Sequence, residues 1–145
     1  MVSFAILLRS DPQKDGYQFW MQKRSEKGAL DQLWEFPGGK IEAQESPKDA
    51  CLREVREETG YQASELQMQL FKVYPFTYPD RSVCLYPFLV WAPEFGDKPT
   101  LGEWVDVNQE GLASYKLLPA NEKICQDVIT YLGEQGPAWR EQWQK

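Results

Sequence analysis

The sequence predicts a single α+β domain over residues 1–145, with helices packed on a sheet. Three observations lead there. Aromatic and branched runs recur between turn residues, as strands do. Two segments have helical spacing, one of them with signals at both ends. The chain has 145 residues, 42% of them hydrophobic, which suits one core.

Residues 2–8, VSFAILL, read as a buried strand. SDPQKDG at 10–16 has the Pro, Asp and Gly of a turn. YQFWMQK at 17–23 alternates and forms the returning strand of a hairpin. Residues 25–33 are a polar loop, and 33–36 a short extended piece stopped by Pro37, Gly38 and Gly39. A helix follows over 47–59: Ser46 caps it, Pro47 suits its first position, Asp49 completes the capping pattern and Gly60 closes it. Residues 66–77 and 82–91 read as an antiparallel pair joined by YPDR, with Pro87 marking an edge or a bulge. Residues 92–102 are loop and 103–107 a short strand. After Pro119, residues 121–132 form a second helix with Ile124, Val128, Ile129 and Leu132 on its apolar side. The tail beyond Gly136 has two tryptophans and no assigned element.

The formal charge of −6 argues against a long nucleic acid as partner, because such binding needs a basic footprint. It leaves room for a small anionic ligand bridged by a metal ion. Cys51, Cys84 and Cys125 are scattered and form no CxxC pair, so neither a disulfide framework nor a zinc cluster is expected. The apolar start is too short to span a membrane and has no basic lead-in. A soluble cytoplasmic protein without a membrane partner is expected, monomer or homodimer. The chain has no His, so a general base must be another group, most simply a carboxylate.

REVREE at 53–58 places Glu54, Glu57 and Glu58 within five residues, where a helix sets like charges against one another. With Ala50 at zero on a helical wheel, Glu57, Glu54 and Glu58 fall at about −20°, 40° and 80°. Cys51, Val55, Thr59 and Leu52 fall between about 100° and 200°. The acidic arc therefore borders the buried arc, where charge costs more to keep. A divalent cation would turn that repulsion into shared attraction. Glu45, just before the helix, can approach the same arc. Oxygen donors without His or Cys suit Mg²⁺ or Mn²⁺, and Mg²⁺ favours a ligand bearing phosphate. The competing reading is a solvated acidic face helped by an Arg53–Glu57 pair.

The offsets of Gly39, Glu45, Arg53, Glu54, Glu57, Glu58 and Gly60 resemble the signature box of the Nudix hydrolases. A chance match of that pattern is on the order of one in a million. Tyr61 departs from it, since the family usually has an aliphatic residue there; only packing is expected to change. The resemblance implies a Nudix-type α/β/α sandwich with a mixed sheet. It also implies metal-dependent hydrolysis of a nucleoside diphosphate linked to another group. By that likeness Glu54, Glu57 and Glu58 hold the metal, the Gly38 carbonyl adds a ligand, Glu45 helps from nearby, and Arg53 orients a neighbouring glutamate.

Beyond the box, LWEFPGGKIE at 33–42, YPDR at 78–81, GEW at 102–104 and PANE at 119–122 resemble the MutT-type branch, which acts on oxidised guanine nucleotides such as 8-oxo-dGTP. The branch likeness makes Glu103 a further acidic group facing the metal and a candidate base. Asn121 would read the base edge, its carboxamide offering both a donor and an acceptor. Arg24 would meet phosphate, with Lys40 or Arg24 offsetting leaving-group charge. Phe36, Asp80 and Arg81 would line the nucleoside pocket. Structural readings compete at each: Asn121 as a helix cap, Phe36 as core, Asp80 and Arg81 as solvated turn residues, Glu103 as an ordinary strand residue. A pyrimidine triphosphate, a nucleotide sugar or a dinucleoside polyphosphate are alternative substrates. A non-catalytic nucleotide-binding module is the alternative outside enzymes.

Overall fold

The computed structural model describes residues 1–24, 32–95 and 102–144. In chain order the elements are β1 (Val2–Ser10), β2 (Tyr17–Lys23), β3 (Trp34–Glu35), β4 (Gly38–Lys40), α1 (Pro47–Thr59), β5 (Met68–Leu70), β6 (Tyr74–Tyr78), β7 (Arg81–Trp91), β8 (Gly102–Asp106), α2 (Gln109–Leu112), α3 (Pro119–Gln135) and α4 (Ala138–Glu141). This is the expected α+β class, a mixed sheet with helices packed on it. The chain divides into two compact units, Met1–Leu7 with Phe36–Gly96, and Leu8–Glu35 with Asp97–Lys145. Among the described residues no helix is long and apolar enough to cross a membrane.

In the first unit, β4 pairs antiparallel with the start of β1, Phe4 opposite Gly38. A Cβ on Gly38 would lie 2.2 Å from the Phe4 Cβ and 2.4 Å from the Ser3 carbonyl oxygen. The strands can approach only because that position is glycine. The α1 helix begins and ends as its sequence signals require. Ser46 accepts from the Asp49 N–H, and Gly60 adopts φ 78° with its N–H on the Arg56 carbonyl. Cys51, Val55 and Thr59 are buried, as the helical wheel marks them; Ala50, at zero within the acidic arc, is buried as well, and Leu52 of the apolar arc is only half-buried. The buried Ser3 hydroxyl donates to the Pro47 carbonyl at 2.7 Å, fixing the first turn of the helix to β1.

Residues 66–77 were expected to be one strand but form two. Both pair with β7, β5 opposite Phe88–Val90 and β6 opposite Arg81–Leu85. The register shifts by one residue across 71–73, opposite Pro87. Proline has no N–H to give the ladder; its carbonyl instead accepts from the Phe71 N–H at 2.9 Å. The bulge expected at Pro87 thus breaks the facing strand.

In the second unit, β2 lies between β3 and β8, antiparallel to both, and pairs with the end of β1. Trp34 forms a parallel bridge with Leu117. Helix α3 starts at Pro119 and reaches Gln135, longer at both ends than expected, and buries Ile124, Cys125, Val128 and Leu132. Ile129 lies outside this buried set. The tail, left without an assignment, forms α4. Its Trp139 is 1% exposed and meets the Tyr17 ring edge-on at 5.8 Å. Two tryptophans in ten residues were the signal that this segment docks rather than trails.

Candidate functional site

Three of the expected glutamates gather on one guanidinium. Arg53 Nε donates to Glu45 Oε2 at 2.7 Å and Nη2 donates to Glu45 Oε1 at 3.0 Å. Its Nη1 donates to Glu54 Oε1 at 2.9 Å and to Glu57 Oε2 at 3.3 Å. Nη2 also reaches the Lys40 carbonyl at 3.0 Å, linking the helix to the end of β4. Glu42 adds to the cluster, with its N–H on Glu45 Oε1 and its carboxylate 3.8 Å from Arg53 Nη1. Exposure ranks these contacts. The side chains of Arg53, Glu45 and Glu54 are 18%, 16% and 17% exposed, whereas Glu57 is 57% exposed. The i,i+4 pair with Glu57, the contact that helical spacing suggests, is therefore the weakly held one.

The guanidinium donating to both oxygens, helped by the Glu42 N–H, holds the Glu45 carboxyl down at about 2 against an ordinary 4.5. Donating to Glu45 and then to Glu54 pushes Arg53 further up, so its charge is permanent. Repulsion along the acidic arc is offset by one cation within the box itself.

The remaining glutamate faces β4 directly. Glu58 Oε2 accepts from the Gly38 N–H at 2.6 Å. A Cβ on Gly39 would lie 2.5 Å from Glu54 Cδ and Oε1. Two carboxylates of α1 thus meet this strand, Glu58 at the Gly38 N–H and Glu54 at Gly39, where only glycine leaves Glu54 its place. The donors are hard oxygens, which suit a small divalent ion. The Gly38–Gly39 backbone gives the carboxylates room to reach one. Among the described residues no three acidic, His or Cys side chains already converge in ligand geometry.

Other expected residues of the first unit lie as follows. Phe36 is 4% exposed and stacked on Phe4 at 5.7 Å, in the core. Lys40 is exposed and ends β4. Asp80 and Arg81 are exposed at the β6–β7 turn, with the Arg81 guanidinium 5.2 Å from the Tyr78 ring centre. Tyr61 does more than fill space. Its ring packs on Phe95 at 5.4 Å, its hydroxyl donates to Glu94, and Gln67 Nε2 donates back to that hydroxyl at 2.8 Å. The expectation of a packing change alone is corrected: the departure adds a polar tie.

The second unit holds the rest. Arg24 pairs with Glu35 at 3.2 Å. Glu103 is exposed on β8 and accepts from the Tyr115 hydroxyl. Asn121 is 5% exposed in the first turn of α3, where Leu118 is the capping position. It is therefore no cap. Tyr115 was missed by sequence reasoning, since its partner lies twelve residues away and no motif joins them.

Comparison with known proteins shows the family. The family model described as the NUDIX domain matches residues 1–128. An 8-oxo-dGTP diphosphatase of Haemophilus influenzae is 36% identical over 115 residues, covering 77% of this chain and 82% of the relative. The enzyme of the same description from Escherichia coli K12 is 34% identical over 110 residues, covering 74% and 82%. A solved MutT structure, from work on the Aliivibrio salmonicida and Vibrio cholerae proteins, superposes with TM-score 0.66 at 31% identity. It covers 89% of this chain and 94% of its own. The residues of the box, its glycine-lined strand and a family match through residue 128 lead to one assignment: this chain belongs to the Nudix hydrolase family.

Proposed function

We propose that the chain acts as one Nudix domain over residues 1–145 and hydrolyses a nucleoside triphosphate to the monophosphate and pyrophosphate. The preferred base is an oxidised purine such as that of 8-oxo-dGTP, and the setting is a cytoplasmic nucleotide pool. One observation carries the reading: Glu54 and Glu58 of one helix are both directed onto the Gly38–Gly39 strand, Glu58 on the Gly38 N–H and Glu54 against Gly39 at a spacing that only glycine tolerates. A solvated acidic face has no need of such a fit. The activity of the diphosphatase relatives supports the choice of base.

Glu54, Glu57, Glu58 and the Gly38 carbonyl would hold Mg²⁺ or Mn²⁺, which when bound offsets phosphate charge and lowers the pKa of water. The protein's own groups do the rest. A carboxylate accepts the proton of the attacking water, as the absence of His requires. The water oxygen bonds to one phosphorus of the α–β anhydride, the bond from that phosphorus to the bridging oxygen breaks, and the monophosphate and pyrophosphate separate. Arg53 keeps Glu45 and Glu54 aligned without touching substrate. Glu103 is the further acidic group and candidate base. The Asn121 carboxamide recognises the purine edge, a role open to it once capping is excluded. Arg24 and Lys40 meet phosphate charge. Asp80 and Arg81 flank the nucleoside, and Phe36 supports the pocket from the core.

Steady-state rates over a nucleotide panel, with and without Mg²⁺, test this. A higher kcat/KM for 8-oxo-dGTP than for dGTP is expected, together with loss of turnover without the ion. Equal values would reject the oxidised base. An unchanged rate in a folded Glu58→Gln variant would reject the role given to the box.

A further inference from the structure

We propose that Tyr115 is a positioning residue that fixes the carboxylate of Glu103 for the reaction, a role that rests on reading Glu103 as an acidic group of the catalytic apparatus. The Tyr115 hydroxyl donates to Glu103 Oε2 at 2.5 Å. A hydroxyl on a carboxylate is among the stronger hydrogen bonds.

Both ends of this bond are anchored within the second unit. The Glu103 backbone sits opposite Met21 in the β2–β8 ladder. On one side is Gly102, where a Cβ would lie 2.0 Å from the Trp20 ring. On the other is Trp104, with the Arg9 guanidinium 4.2 Å from its ring centre. The strand is therefore fixed, but the glutamate side chain is exposed and has three rotatable bonds.

Tyr115 reaches it from a segment tied down separately. The Tyr115 N–H donates to the Leu112 carbonyl at 3.0 Å, the Trp34 N–H to Lys116 at 2.8 Å and the Leu118 N–H to Trp34 at 3.1 Å. The Tyr115 ring meets Trp34 edge-on, at 4.9 Å and 89°. A turn this tight after β8 requires Gly111, where a Cβ would lie 2.2 Å from the Asp106 carbonyl oxygen. A rigid phenol on a bonded segment thus meets a mobile carboxylate on a fixed strand. Its effect is to remove the carboxylate's freedom, which matters for a group that must be in place when bonds break.

Tyr115→Phe keeps the ring and removes the hydroxyl. Expected is a loss of about ten-fold in kcat with KM within about two-fold. In a Glu103→Gln background the same substitution should cost less than about two-fold further. A second readout is carbon NMR of the metal-free protein. The side-chain carboxylate resonance that Glu103→Gln removes should shift in Tyr115→Phe. An unchanged kcat in Tyr115→Phe, an equal loss in both backgrounds, or an unmoved resonance would overturn the proposal. Should Glu103→Gln itself keep full activity, the role of Glu103 fails, and the positioning role with it. The resonance shift would then still register the bond, and so separate the two failures.

Discussion

Arg53 grips both carboxylate oxygens of Glu45, through Nε at 2.7 Å and Nη2 at 3.0 Å, while Nη1 holds Glu54 at 2.9 Å. Planar, forked recognition of this kind is beyond a lysine. Arg53→Lys keeps the charge, so it separates geometry from electrostatics. It should lower kcat by roughly ten- to a hundred-fold, the usual cost of losing a group that orients metal ligands. The melting temperature should fall with it. A lysine variant with normal kcat would show that charge alone suffices.

Glu45 gives the acid dependence of stability. Its carboxyl titrates at about 2 in the folded chain against 4.5 ordinarily, so the unfolded chain binds that proton more readily. The contribution is fully present above pH 4.5 and is lost as the pH falls from there towards 2. Melting curves of the parent and of Glu45→Gln should therefore converge across that window. Curves that stayed parallel down to pH 2 would disprove the link between Glu45 and Arg53.

Two adjacent glycines should fail in different ways. At Gly39 an added Cβ meets the end of the Glu54 side chain, at 2.5 Å from Cδ. That carboxylate can swing aside, so the fold survives and the donor is displaced. Gly39→Ala should keep its melting temperature within a few degrees and lose on the order of a hundred-fold in kcat. At Gly38 the added atom meets the Phe4 Cβ and the Ser3 carbonyl, which cannot yield without parting β4 from β1. Gly38→Ala should lower the melting temperature sharply. Similar thermal losses in both variants would refute the distinction.

What could be read from the sequence follows from how local each signal is. Helix α1 was legible to the residue because Ser46, Pro47, Asp49 and Gly60 act within one turn of its ends. Its buried face was legible because Cys51, Val55 and Thr59 recur at helical spacing. The contacts of Arg53 were legible only in part. Glu57 lies at i+4, but the stronger partner, Glu45, comes from outside the helix through a bend that no periodicity marks. The split of residues 66–77 into β5 and β6 was hidden, because the interruption answers Pro87 on a different strand. Tyr115 was hidden for a related reason: its partner is reached only through the tight turn at Gly111.

Tyr61 is the residue where this chain leaves the family pattern, and the structure gives the substitution a measurable consequence. Its ring is 5% exposed and packs on Phe95, so an apolar residue would fill the same core. Its hydroxyl is different: it donates to Glu94 and accepts from Gln67, whose amide also reaches the Trp91 carbonyl at 2.5 Å. Burial, with the Glu94 carboxylate beside it, raises the Tyr61 pKa and keeps the phenol protonated as a donor at neutral pH. Removing the hydroxyl alone, in Tyr61→Phe, leaves the packing and deprives Glu94 of that donor. Glu94 is exposed and regains water, which limits the cost to about 1 kcal/mol. At this chain length that is a fall of about 3 °C in melting temperature. Tyr61 lies just past α1 rather than on its acidic arc, so kcat should hold. Urea melts would give the free energy directly, and a parallel loss of turnover would mean that the tie also sets the position of α1.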